Sequence, residues 1–190
     1  MKACWTLVLV LMLGGCASTE PHPTVQPLLV TPLPPESLGY RLSMSQVVAS
    51  KYKGETHSLR VEVEVSPDRL VMVGVSHIGV PLFQLELDHL GLRTKTLGGE
   101  SLPFEPSYIL SDFQLAYWPF DRVQQELAQR GYILVRGLRA TSRYIYDLKH
   151  QLLASVEILS DGSRAGYMVI EHHDLPYQLL IQTLDRTEGS

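Results

Sequence analysis

Cysteine is scarce in this 190-residue chain: there are two, Cys4 and Cys16. Both lie in the first sixteen residues, so the rest of the chain can form no disulfide and must hold its fold by packing alone. No cysteine pair has zinc-ligand spacing, and no glycine-rich loop of the kind that cradles phosphate occurs. Basic residues are scattered and the net charge is −4, so the basic patch of a nucleic-acid-binding protein is missing. The apolar run Cys4 to Leu13 (CWTLVLVLML) is too short for a permanent bilayer crossing, which takes about 20 residues.

Catalytic signatures are equally thin. Gly74-Val75-Ser76-His77-Ile78-Gly79 has one residue too many for the Gly-x-Ser-x-Gly elbow, and it lies between two expected strands instead of before a helix. Ser76 therefore reads as a turn residue. His172-His173-Asp174 offers metal-ligand types, but adjacent histidines on an extended chain point to opposite faces, and a polar turn before Pro176 accounts for them. Asp88-His89 reads as a hairpin end, and Glu62 and Glu64 share one solvent-facing strand face with no partner across a cleft. The expectation is a protein with no enzymatic activity, no catalytic residue, no metal and no cofactor.

What is present begins at the N-terminus. Lys2, the apolar run and the small residues that follow make a secretory signal. Its ending, Leu13-Gly14-Gly15-Cys16, resembles the lipobox of bacterial lipoproteins. That resemblance implies cleavage before Cys16 and acylation (palmitate among the chains) of the cysteine. The alternative is an ordinary signal peptide with a chance cysteine. One acyl chain binds a membrane reversibly, whereas the three implied here anchor it stably. Ala17 stands where an aspartate would, by analogy with enterobacterial sorting, favour the inner membrane, so the outer membrane is expected.

Three regions follow: a signal peptide over 1–15, a lipidated cysteine and proline-rich linker over 16–39, and one domain over 40–190. Residues 17–36 hold six of the twelve prolines and should run extended as a spacer. Leu28, Leu29, Val30 and Leu33 are greasier than a spacer needs, which suggests that part of it lies along the domain.

Within the domain, Ser58 to Val65 alternates apolar and polar at period two, the mark of a half-buried strand. Strands are expected at Arg41 to Lys53, Arg69 to Val75, Val80 to Leu87 and Leu92 to Leu97. Both faces of Leu70 to Val75 are apolar, so both should be covered. Pro106 to Trp118 carries Ile109, Leu110, Phe113, Ala116 and Tyr117 on one helical face; a second helix, with Phe120, Val123 and Leu127, ends before Gly131. Strands return at Tyr132 to Val135, Ser142 to Leu148, Gln151 to Leu159, Arg164 to Glu171 and Pro176 to Leu184, with Asp161-Gly162 as a hairpin turn. The fold class is α+β: one strongly curved, unclosed antiparallel sheet with two helices inserted between two sets of strands.

That order resembles the LolA/LolB superfamily of periplasmic lipoprotein carriers and receptors. More narrowly, it resembles a lipoprotein family of unknown function whose genes sit in aryl-polyene and related lipid-biosynthesis clusters. Leu82-Phe83-Gln84-Leu85, Leu110-Ser111-Asp112-Phe113-Gln114-Leu115-Ala116-Tyr117-Trp118-Pro119 and Tyr177-Gln178-Leu179-Leu180-Ile181-Gln182-Thr183-Leu184 carry the match. The resemblance implies an apolar cavity that receives acyl chains, for which Leu70, Met72, Phe83, Leu85, Ile109, Phe113 and Trp118 are candidate lining residues. An ordinary filled core is the competing use of such residues. In the receptor an exposed leucine between the third and fourth strands faces the membrane; Ile78 holds that position here, unless it folds back into the core. The function implied is binding or handing on a hydrophobic or acylated ligand in the envelope, aryl-polyene lipid export being one use. The alternative is a scaffolding lipoprotein that docks a protein partner and has no cavity.

Replacing Cys16 by serine should abolish incorporation of radiolabelled palmitate and leave an uncleaved precursor or a released, unacylated form. Label still entering that variant would show the anchor to be elsewhere.

Overall fold

The computed structural model describes residues 27–29, 31–52, 54–97, 105–138, 141–159, 166–174 and 177–189. Cys16, the spacer up to residue 26 and the Asp161-Gly162 turn lie outside them.

The first set of strands is β1 (Arg41–Tyr52), β2 (Glu55–Ser66), β3 (Arg69–Val75), β4 (Pro81–Asp88) and β5 (Gly91–Thr96). Two helices follow, α1 (Pro106–Tyr117) and α2 (Phe120–Gln129). The second set is β6 (Ile133–Arg136), β7 (Arg143–Tyr146), β8 (Leu152–Ile158), β9 (Tyr167–His172) and β10 (Tyr177–Gly189). Each set is a meander of sequential neighbours, and the two are joined where β1 pairs with β10. The result is one ten-stranded antiparallel sheet in the order β5-β4-β3-β2-β1-β10-β9-β8-β7-β6, left open between its end strands.

Alternation sets which side chains face α1. In β2, Leu59, Val61, Val63 and Val65 are buried while Arg60 and Glu64 are exposed. Leu42, Met44, Gln46 and Val48 do the same in β1, as do Leu179, Ile181 and Thr183 in β10. The outer face of β3 differs from expectation, because no further layer covers it among the described residues. Val71 stands between Glu64 and Glu86 in the ladder, and Val73 between Glu62 and Gln84. Both valines are half-buried, sheltered by the stems of these long neighbours.

Helix α1 is buried on nearly every side, from Ile109 to Ala116 without a break. Proline opens it at its first position, where the missing N–H costs nothing. Proline also follows it at Pro119. Helix α2 is amphipathic, burying Val123 and Leu127, and ends at Arg130 before Gly131, whose φ of 74° suits glycine.

The stretch from Pro27 to Leu38, expected as the end of a spacer, is packed against the domain as a strap. Leu28, Leu29, Leu33 and Leu38 all join the core, the last within a short 3-10 turn at Pro35–Leu38. Ser111, Gln114 and Trp118, spaced three and four apart on α1, hold it. Ser111 Oγ accepts the N–H of Leu29 at 3.1 Å. Gln114 accepts the N–H of Leu33 at 2.9 Å and donates to its carbonyl at 2.7 Å. The Trp118 indole N–H donates to Ser37 Oγ at 2.9 Å. Arg130 donates to the carbonyls of Pro27 and Leu28 at 3.0 and 2.7 Å.

One tight spot in the sheet tests the packing. Gly74 faces Phe83 across the β3–β4 ladder, and a Cβ on Gly74 would sit 2.1 Å from the Phe83 ring. Phe83 has no solvent exposure, so its ring has nowhere to move. Gly74→Ala should therefore lower stability by about 1–3 kcal/mol, read as a shift of the urea midpoint at unchanged slope.

Candidate functional site

The site is the seam between the inner face of α1 and the middle of the sheet. From α1 come Ile109, Asp112, Phe113 and Tyr117; from the sheet come Gln46, Val48, Val61, Met72, Met168 and Ile181. Phe113 packs against Tyr117 at 4.8 Å and edge-on to Trp118 at 5.8 Å. The void enclosed is about 10 Å³. That is room for about one water molecule and none for an acyl chain. The expectation of a standing cavity is corrected here: the apolar side chains of helix and sheet fill their own interior.

A polar cluster closes each end of the seam. At the end where β9 runs out and β10 begins, His172 Nε2 lies 2.9 Å from Asp112 Oδ1, and the Tyr177 hydroxyl donates to Asp112 Oδ2 at 3.4 Å. The side chains of His172 and Asp112 are 6% and 3% exposed, so this is a buried ion pair when His172 is protonated. Burial works against the imidazolium, but the charge and hydrogen bond of Asp112, helped by Asp174, outweigh it and raise the His172 pKa. Burial and the Asp112 charge likewise hold the Tyr177 phenol protonated.

At the opposite end the Gln46 amide donates to the Tyr117 hydroxyl at 2.7 Å and to Thr183 Oγ1 at 3.2 Å. The Arg186 guanidinium lies 5.4 Å from the Tyr117 ring centre and within 3.5 Å of the Tyr40 hydroxyl. Arg143 donates to the carbonyls of Leu115 and Trp118 at 2.6 and 2.8 Å, so it caps the C-terminal end of α1, where a cation is favoured.

Of the seven candidate lining residues, Met72, Ile109 and Phe113 meet at the seam. Leu70, Phe83, Leu85 and Trp118 are fully buried elsewhere in the core, Trp118 on the strap side of α1. Ile78 is 74% exposed at the tip of the β3–β4 hairpin, so it does not fold into the core. Ser76 is fixed in that turn, its Oγ accepting the N–H of Val80 at 3.0 Å. The polar-turn reading of the histidines holds for His173 and Asp174 but is corrected for His172, which is the inward-facing last residue of β9. No group of three metal-ligating side chains is found among the described residues. Sequence reasoning missed Gln46, Asp112, Tyr117 and His172 as site residues. Their signal was a polar group at an inward strand position or on an apolar helix.

A family model for a protein of unknown function, DUF3261, matches residues 43–185, well over half of the chain. The chain belongs to that family. No curated protein matches this DUF3261 chain. Among solved structures it is similar to a LolA superfamily protein from Nitrosomonas europaea, at 7% identity and a TM-score of 0.47, covering 80% of this chain and 90% of that one. It is also similar to a DUF1329 family protein from Desulfovibrio piger, at 9% identity and a TM-score of 0.40, covering 77% and 84%. A domain from Vibrio parahaemolyticus assigned to outer-membrane lipoprotein sorting shares 13% identity at a TM-score of 0.40, covering 80% and 86%.

The raised His172 pKa fixes the sign of a pH effect. The stabilisation from its pairing with Asp112 is complete below the unfolded value of about 6.5 and is lost as pH rises through the folded one. The melting temperature of the DUF3261 domain should therefore fall on going from about pH 6 to pH 8, and His172→Gln should flatten that slope. Parallel slopes in the two proteins would show that the pair contributes nothing.

Proposed function

We propose that the protein is a lipid-anchored, non-catalytic binding module on the periplasmic face of the outer membrane, which shelters or hands on a hydrophobic or acylated ligand. The observation that carries this reading is the seam itself. A helix buried on both sides meets the sheet through apolar side chains, with polar contacts only at the two ends. Met72 and Met168 stand at the meeting surface, and methionine adapts to variable partners better than branched residues do. As the seam stands, an acyl chain enters only if α1 is displaced, and the hydrogen bonds between α1 and the strap mean that both would move together. Cys16 supplies the anchor, and Ile78, exposed on its hairpin, is the residue offered to the membrane during transfer. An aryl-polyene lipid is one ligand of the required chemistry.

A second reading has its own support. The filled interior also suits a scaffolding lipoprotein that docks an envelope protein and needs no cavity.

Mass spectrometry of the full-length protein, extracted from membranes in mild detergent, separates the two. The first reading expects a co-purifying acylated or polyene compound beyond the anchor on Cys16, and its loss in Val48→Trp, which fills the seam. An empty protein whose α1 amides exchange at the same rate with and without added fatty acid would leave only the docking role.

A further inference from the structure

We infer that the Tyr117 end of the seam is a receptor for the anionic head, a carboxylate or phosphate, of an amphiphile whose chain lies between α1 and the sheet. This rests on the binding reading above and adds to it the chemical class of the ligand.

The first observation is a charge arrangement that the fold leaves unbalanced. Arg136 and Arg143 stand directly opposite each other in the β6–β7 ladder. Like charges in that position repel, so such a pair normally needs a compensating anion. Arg143 touches no carboxylate among the described residues, and its hydrogen bonds go to main-chain carbonyls. Burial and then the neighbouring Arg136 pull its pKa down to about 10. Arg136 has Asp121 at 3.8 Å, out on an exposed helix face, and spends its flat side on the Phe120 ring at 4.1 Å.

The second observation ties these charges to the seam. Arg186, from β10, lies against Tyr117, which lines the seam together with Gln46. Tyr40 feels the charge of Arg186, and Arg143 in turn feels Tyr40, so both guanidinium groups face the same phenol. Three arginines thus converge at one mouth of a chain whose net charge is −4.

The third observation is that this mouth already takes a carboxylate. Arg186 is hydrogen-bonded to Glu188, whose side chain is 52% exposed and sits near the end of β10. Glu188 thus occupies the place of a ligand head. A guanidinium accepts carboxylate or phosphate oxygens through paired N–H groups, so an incoming head would displace Glu188 into solvent at little cost.

The test uses Trp118, which packs against Phe113 beside the seam. Full-length protein in nonionic detergent is titrated with brominated dodecanoic acid, dodecanol and dodecyl phosphate, and quenching of Trp118 fluorescence is followed. The acid, the phosphate or both should quench at about tenfold lower concentration than the alcohol, the scale of a lost charge-assisted hydrogen bond. Whichever of the two does so identifies the head. Arg186→Gln should bring that probe to the alcohol's level, and Arg143→Lys, which keeps the charge but loses the fork, should weaken it in the same direction. Equal quenching by acid, phosphate and alcohol, indifferent to Arg186→Gln, would overturn the head receptor while leaving the seam reading intact. No quenching by any of the three would overturn both.

Discussion

The ladder between β1 and β10 is the constraint on which everything else rests. Every other strand pair joins neighbours in sequence and closes only a short loop. This one joins residue 41 to residue 189 and must offset a loop-closure entropy that local hairpins never meet. It is also the longest ladder, running from Arg41 opposite Gly189 to Tyr52 opposite Tyr177. Without it there would be two separate five-stranded meanders, neither able to surround a helix. With it, the inner face becomes continuous from β3 across to β9, and Met72, Val61, Val48, Ile181 and Met168 are brought to a single helix.

A helix buried on both sides raises the problem of its polar side chains. Asp112 and Gln114 are each about 2% exposed or less, and leaving either without partners would cost about 1–3 kcal/mol or more. The fold resolves them in opposite directions. Asp112 faces the sheet and is met by His172 and Tyr177, from the strands on one side of the β1–β10 ladder. Gln114 faces outward, and its amide pairs with both main-chain groups of Leu33, much as a strand edge would. Proline in the strap removes N–H groups that would otherwise also need partners there, which is why a proline-rich segment can lie against a buried helix.

That same proline content hid the strap. Six prolines in residues 17–36 gave no period to read, and the leucines among them were the only sign of packing. Strands were legible because the rules that form them are local. Alternation in β2 and turn residues at Ser66-Pro67-Asp68 fix that hairpin without reference to the rest of the chain. The seam was legible only in part. Met72, Ile109 and Phe113 are apolar residues on the right faces, but so are Leu70, Leu85 and Phe83, and periodicity cannot tell which of them meets α1. That depends on where the helix crosses the sheet, and the crossing is set by Asp112 finding His172 across 60 residues. A pairing at that separation leaves no local trace beyond a charge on an apolar helix.

Closure of the seam and its use as a binding site are physically compatible because of how α1 is held. Its inner face contributes burial, worth about 25 cal/mol per Å² of apolar area, and a ligand chain inserted there would restore most of what its displacement removes. The polar contacts behave differently, since those at Asp112 and Tyr117 break outright when the helix lifts. Their partners are side chains on the sheet, which water or a ligand head can serve in their place. The strap contacts run from α1 to backbone that moves with it, and so need not break at all. Opening therefore separates two apolar surfaces and two small polar clusters without unravelling any strand or helix, and the polar clusters, more than the apolar area, set how readily it happens.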